Sequence, residues 1–171
     1  MSIQPAPLPQ ELQPFPDASK VWVYLASRPL TPEETTEIVQ RLQQFCIAWT
    51  AHNNQLKAAG FILWNRLLLL VVDETQNKAS GCSIDKSVHL LRQLEKDYAL
   101  QLFDRLQIPF LESGELKTFP YPEFKSWLES GKLQPTTLVF NNAVDTLGQL
   151  RAHWILPLAQ SFLQARMPAM L

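Results

Sequence analysis

Apolar positions in the first part of the chain recur with the spacings of alternating strands and helices. Residues 21–27, VWVYLAS, are rich in β-branched and aromatic side chains, which predicts a strand. The following TPEE predicts a helix start, with Thr31 as the N-cap and Glu34 closing a capping box. We expect this helix to end between Thr50 and His52, where the apolar pattern breaks. Its apolar stripe recurs at spacings of four, three and four: Ile38, Leu42, Phe45 and Trp49.

Two apolar segments on either side of a short polar break predict a β-hairpin. AAGFILW and RLLLLVVDE are joined through residues 64–66, where we place the turn. Residues 67–72 are apolar at every position, which is typical of a central strand that is covered on both faces. After a polar loop, a second amphipathic helix is predicted, with Ser83 as its N-cap and Asp85 in its first turn.

A further strand is predicted at residues 105–112, where Pro109 favours an edge position. The order β-α-β-β-α-β is that of the ferredoxin-like split βαβ unit. We therefore predict an α+β fold with a ferredoxin-like core, residues 20–111. In this core, both helices lie on one face of an antiparallel four-stranded sheet in the order 4-1-3-2. Residues 112–171 predict a strand-helix-strand-helix extension that packs against the core and covers the second face of the central strand.

Composition and charge exclude several classes of protein. Residues 1–19 carry five prolines without periodicity, which predicts a flexible tail. The net charge is −1 and Lys and Arg do not cluster, so we expect no nucleic-acid partner. The longest apolar run, residues 67–72, is too short to insert into a membrane. Two distant cysteines and the lack of a signal-peptide pattern predict a cytoplasmic protein without a disulfide framework or a zinc site. We expect no cofactor.

Three predicted elements end or begin at residues that could carry chemistry. Asp73 and Glu74 follow the central strand, as an acidic pair that binds Mg-ATP would, but they also fit an ordinary strand end. No G-x-x-x-x-G-K-[ST] phosphate loop accompanies them. Cys82 lies just before a helix, where backbone amides stabilise a thiolate, and it also fits a small residue in a turn. His52 fits either a general base or a partner of the helix dipole.

A ferredoxin-like topology brings these segments to one end of the sheet, which we call the polar rim. The rim predicts a thiol site with Cys82 as nucleophile or ligand contact, His52 as base, and Asp73 or Asp85 as the orienting acid. No metal site is predicted. Further binding candidates at this rim are Trp49, Asn53, Glu74 and Ser83.

Two resemblances to known families accompany these patterns. The strings WTAHNNQLKA, LLLLVVDE, ASGCSIDKSV, LFDRL and TLVFNN together resemble an uncharacterised bacterial family whose members often carry an automatic label as ABC transporter ATPases. That resemblance implies no established activity. Residues 108–154 are similar to the GYF-like-2 domain pattern, with Phe140 where the pattern has Trp. Related GYF domains bind proline-rich peptides on aromatic surfaces, so this resemblance implies a partner-binding role.

The functional expectation is a non-catalytic cytoplasmic binding or regulatory protein. Its partner would be a protein or a small molecule, and a homodimer formed through sheet or extension surfaces is one arrangement. The alternative is a small enzyme that uses Cys82 and His52. An ATPase is the third hypothesis, which the missing phosphate loop disfavours.

Overall fold

Two antiparallel sheets, a short two-stranded ribbon and four α-helices form the fold of residues 8–167, the part that this computed structural model describes. This content confirms the α+β class. The strands are β1 (Lys20–Leu25), β2 (Thr50–Ala51), β3 (Asn54–Gln55), β4 (Lys57–Leu63), β5 (Leu67–Asp73), β6 (Gln107–Glu112), β7 (Glu115–Pro120), β8 (Leu138–Phe140) and β9 (Ile155–Pro157). The helices are α1 (Pro32–Ala48), α2 (Gly81–Tyr98), α3 (Phe124–Glu129) and α4 (Leu147–His153).

The first sheet has the order β1-β5-β4, with β5 in the centre. Every residue of β5 is buried, which confirms the prediction of a central strand covered on both faces. Because side chains alternate along a strand, Leu68 and Leu70 pack under α1 and α2, whereas Leu67, Leu69 and Val71 face the opposite cluster. Each buried leucine stabilises the fold by about 1.5–3 kcal/mol.

The predicted hairpin joins β4 to β5. Leu63 lies opposite Leu67, and the chain reverses through Trp64, Asn65 and Arg66. Trp64 has a φ of 50° and Asn65 a φ of 49°, the left-handed pair that matches the twist of a tight hairpin. The turn position predicted from the sequence is therefore confirmed.

The predicted fourth strand does not join the first sheet. β6 pairs with β7 and β8 in a second sheet of order β7-β6-β8-β9, so the ferredoxin-like order 4-1-3-2 is wrong. Two causes act together. β6 forms a local hairpin with β7 through Ser113 and Gly114, which closes a much shorter loop than pairing with β1 would. In addition, Phe110 is buried in an aromatic cluster with Phe119 and Phe124.

The position of Pro109 also differs from its predicted edge location, because β6 has a neighbour on each side. The ladder with β8 involves only Phe110 and Leu111, so the proline lies outside the segment that needs an N–H donor on that side.

Residues from the C-terminal region cover the second face of the first sheet, as expected. The order β7, α3, β8, α4 matches the predicted strand-helix-strand-helix extension, with β9 added at its end. Phe140, Leu147 and Trp154 pack against β5 in one cluster. Trp64 of the hairpin makes edge-on contacts with the rings of Phe140 and Trp154.

The segment that precedes β1 is packed from Leu8 onward. Leu12 and Phe15 are buried in the same cluster as Trp154. The guanidinium of Arg151 donates to the backbone carbonyls of Leu12 and Phe15. This packing differs from the flexible tail expected for residues 1–19, of which residues 1–7 lie outside the described part.

Candidate functional site

His52 and Asn53 of the polar rim form the tip of a hairpin rather than the end of a helix. Helix α1 ends at Ala48, earlier than expected, because the chain continues as the antiparallel ribbon of β2 and β3. His52 has a φ of 49° and Asn53 a φ of 63°, so the two residues form a tight left-handed turn. Both side chains are exposed.

Trp49 and Ser83, two of the predicted binding residues, are parts of the core. Trp49 is 1% exposed and contacts the rings of Phe45 and Trp22. Its indole N–H donates to the backbone carbonyl of Ser83 at 2.7 Å, which ties α1 to the first turn of α2. Both side chains therefore hold the rim together and are not free to bind a ligand.

The N-cap of α2 is Ser80, not Ser83 as predicted. The hydroxyl of Ser80 accepts a hydrogen bond from the N–H of Ser83, and the Ser83 hydroxyl accepts one from the N–H of Ser80. This reciprocal capping box satisfies two backbone donors at the helix start. Cys82 thus lies within the first turn of the helix and its side chain is exposed.

Asp73 and Glu74 are engaged in internal hydrogen bonds. Asp73 accepts from the hydroxyl and the backbone N–H of Thr75, and from Lys57 at 3.1 Å. These bonds lower the pKa of Asp73, the hydroxyl of Thr75 contributing most. Glu74 accepts from the N–H of Ala79 at 3.0 Å. The two carboxylates therefore close the loop between β5 and α2, which favours the strand-end interpretation over a magnesium site.

The structure brings together only some of the predicted thiol-site residues. Cys82 and Asp85 line a shallow groove on α2 that also contains Phe45 and His89. His52 and Asp73 are not among the residues that line it. Within residues 8–167, no group of three or more His, Cys, Asp and Glu side chains is placed to hold a metal ion.

A second region, which sequence analysis missed, lies along the outer edge of β1. At one end, the N–H of Val21 donates to the carbonyl of Asp145 at 3.0 Å. At the other end, the N–H of Ser27 donates to the carbonyl of Gln101 at 2.9 Å. Between these two points, β1 has no strand partner on this side among the described residues.

The main-chain groups of Val23 and Leu25 point towards this open edge. Successive residues of an antiparallel strand direct their N–H and C=O groups to opposite sides. The N–H of Ala26 bonds to Arg66 on the β5 side, and the N–H of Val21 bonds on the other side. By this alternation Val23 and Leu25 share the direction of Val21, and no described backbone group pairs with them there.

Two cavities adjoin this edge and share part of their lining. One has a volume of about 340 Å³ and lies between β1 and the chain that leads into β6. The other, of about 420 Å³, continues past Trp22 towards Asp145. The residues common to both are Val23, Tyr24, Arg105, Asn142 and Ala143. We call the two cavities and the strand edge between them the β1 groove.

The walls of the β1 groove are mainly apolar, with polar groups placed around its centre. Phe140, Ile108 and Phe162 form part of the apolar wall, and Phe162 is 46% exposed. Tyr24 is 9% exposed and its hydroxyl makes no hydrogen bond within the described chain. Burial raises the pKa of Tyr24, and the positive charge of Arg105 acts in the opposite direction.

One sequence signal could have indicated the groove. The segment VWVYL is apolar at each position although it forms an outer strand. Outer strands that face only solvent usually carry charged residues or proline, which prevent pairing with other chains. The absence of both from β1 is typical of an edge that is covered by something.

Comparison with known proteins adds no relative. No protein-family model, no curated protein and no solved structure matches this chain. The resemblances found in the sequence therefore stay predictions, and the geometry of the β1 groove is the basis for a functional proposal. Within the described residues, no helix has both the length and the apolar character needed to cross a membrane.

Proposed function

We propose that this protein is a non-catalytic cytoplasmic binding protein that captures an extended peptide segment in the β1 groove. The peptide adds to the outer edge of β1 as a further strand. The observation that carries the proposal is the open edge at Val23 and Leu25, which is bounded at both ends and adjoined by apolar cavities.

An extended peptide supplies what the edge lacks. Val23 and Leu25 each offer one N–H and one C=O, and an added strand satisfies such groups in alternation. A backbone group left without a partner in a partly dry site costs about 1–3 kcal/mol, so pairing is favourable. The open stretch from Val21 to Leu25 is roughly 13 Å long at about 3.3 Å per residue, which fits about five peptide residues.

A single strand fits the groove better than a second copy of the protein does. The edge of β1 lies between the segment that contains Arg105 and the segment that contains Asn142. A second copy would carry the same two walls around its own β1, so the two edges could not approach to pairing distance. The concave shape thus favours a peptide or a loop from a partner protein.

The groove carries no set of residues suited to covalent catalysis. Its described lining contains no His, Cys or Ser side chain, and its polar members are amides, acids, Tyr24, Lys20 and Arg105. A nucleophile and a base within hydrogen-bond reach are required for a thiol or hydroxyl mechanism. The alternative enzyme hypothesis therefore keeps only the rim residues Cys82 and His52, which do not line a common cavity.

Cytoplasmic location is supported by the cysteines. Both Cys46 and Cys82 are free, and Cys82 is exposed. An exposed thiol is stable in a reducing compartment and prone to oxidation outside it.

The test is selection from a random hexapeptide library displayed on phage, followed by calorimetric titration of the selected synthetic peptides. Val23→Pro removes the N–H that faces the groove but leaves the ladder to β5, which uses Trp22 and Tyr24. We expect selected peptides to bind Val23→Pro at least about tenfold more weakly than wild type.

Ile62→Pro is the matched control. Ile62 is a partly buried β-branched residue on β4, the other outer strand of the same sheet, and the alternation of β4 places its N–H on the side away from β5. We expect this variant to bind the selected peptides as wild type does. Should Val23→Pro fail to fold, N-methylation of alternate peptide residues gives the same information, because only one alternate set faces β1.

Two outcomes contradict the proposal. The first is a library from which no peptide binds wild type above background, or from which all peptides bind Val23→Pro equally well. The second is a mass in sedimentation equilibrium that doubles with concentration and returns to that of the monomer in Val23→Pro. The second result would assign the edge to self-association.

A further inference from the structure

The charged residues around the β1 groove are paired with one exception. Asp145 pairs with Lys20 at 3.8 Å. Asp104 accepts a hydrogen bond from the N–H of Leu106, and Glu74 accepts one from Ala79. These four charged residues line the groove together with Arg105. All except Arg105 thus have a partner within the chain.

Arg105 has no ion pair and no hydrogen bond among the described residues. Its side chain lines both cavities, so it lies at the middle of the groove rather than at one end. Arginine presents several N–H donors in a planar fork, a geometry that matches a carboxylate.

Tyr24 provides a second donor at the same place. It also lines both cavities, more than nine-tenths of its surface is buried, and its hydroxyl makes no hydrogen bond. The charge of Arg105 is close enough to counteract the rise that burial causes in the pKa of Tyr24. A buried hydroxyl usually finds a partner, and here the groove is the space from which one can come.

Resting on the proposed function, we propose that the bound strand carries an acidic side chain, Asp or Glu, which binds Arg105 and the hydroxyl of Tyr24. A peptide that pairs along β1 runs past the centre of the groove, because the edge continues on both sides of Val23. The carboxylate at Arg105 is therefore that of a side chain within the strand and not that of a chain end.

The probe is a set of synthetic hexapeptide pools in which each position in turn is fixed as Glu or as Gln. Each pool is measured against wild type, Arg105→Gln, Arg105→Lys and Tyr24→Phe. With wild type, we expect Glu to be preferred over Gln about tenfold at one position, as for a hydrogen-bonded charge at a partly exposed site. Arg105→Gln abolishes this preference and Arg105→Lys retains part of it. Tyr24→Phe reduces it because one donor is lost.

A matched charge control is Lys117→Gln, since Lys117 lies on β7 and pairs with Glu112 outside the groove. This variant keeps the full preference for Glu. Peptides with a free C-terminus and their C-terminal amides are compared in the same way, and we expect equal binding.

The outcomes separate this inference from the proposed function. If the Glu and Gln pools bind equally at every position, the peptide groove stands and the acidic partner is wrong. A preference for the free C-terminus over the amide would also overturn the inference, because the carboxylate would then be a chain end. If no pool binds wild type at all, the proposed function itself fails.

Discussion

The polar rim and the β1 groove differ in what their polar groups are bonded to. At the rim, Asp73, Glu74, Ser83 and the indole of Trp49 are each used in a hydrogen bond within the chain. In the groove, backbone groups of β1, the hydroxyl of Tyr24 and the guanidinium of Arg105 have no such partner among the described residues. The residue types at the rim suggest chemistry, but a group that already has its partner contributes to stability instead.

This comparison shows why residue type alone is a weak guide to a site. Acids, a serine and a tryptophan near one another also form caps, loop closures and helix ties. Buried polar groups are normally satisfied, so the informative groups are those without a partner next to a cavity. The contrast can be tested by variants that separate stability from binding.

The largest expected effect belongs to Trp49. Trp49→Ala removes a side chain that is 1% exposed and is expected to lower the free energy of unfolding by about 3–5 kcal/mol. Urea unfolding followed by circular dichroism measures this change. The control is Cys82→Ala at the exposed start of α2, which should stay within about 0.5 kcal/mol of wild type. A stable Trp49→Ala would return this residue to the list of ligand contacts.

A smaller effect, dependent on pH, is expected for Asp73. Its pKa is lowered by the bonds from Thr75 and Lys57, so the unfolded chain binds a proton more readily than the folded chain does. The stability that Asp73 contributes is present above the unfolded pKa of about 3.9 and is lost as the pH falls through the lowered folded value. We expect Asp73→Asn to cost about 1 kcal/mol at pH 7.

That cost should shrink as the pH falls below about 4, because the wild type then loses the same charge. Denaturation midpoints of both proteins between pH 7 and pH 2 measure the difference. Glu34, whose pKa is lowered to about 2 chiefly by its hydrogen bonds with Arg28, titrates in both proteins and therefore cancels. A cost that is independent of pH would show that the charge of Asp73 has no structural role.

The smallest effect on stability, with an effect on binding, is expected at Phe162. This side chain lines the groove and is 46% exposed, so Phe162→Ser should change the free energy of unfolding by less than about 0.5 kcal/mol. Peptide affinity should fall about fivefold, because part of the apolar contact of the ligand is lost. Ile47→Ser on α1 is the control, since Ile47 is 71% exposed and does not line the groove. Equal affinities of the two variants would place the ligand elsewhere.

Local elements were predicted well because their causes lie within a few residues. The hairpin at Trp64 and Asn65 and the capping box of Thr31 with Glu34 depend on turn and cap chemistry that the sequence displays directly. The burial of β5 on both faces followed from its unbroken apolar run. The start of α2 was misplaced by three residues because Ser80 and Ser83 both satisfy the cap preference.

The placement of β6 and the site could not be predicted from these patterns. An apolar strand at residues 107–112 can pair with β1 or with β7, and its composition does not distinguish the two partners. The choice depends on loop closure and on the cluster that Phe110 joins, which involves residues distant in sequence. An incorrect partner for β6 closed the edge of β1 in the predicted fold and so hid the groove.

The sequence by itself determined the α+β class, the doubly covered central strand, the hairpin and the helix stripes, because periodicity and turn chemistry act over short distances. Only the tertiary structure decided which strand each apolar segment pairs with, and consequently which backbone groups remain open. The physical reason is that pairing is a competition between distant segments of similar composition. Its outcome moved β6 away from β1 and left Val23, Leu25 and Arg105 beside a groove.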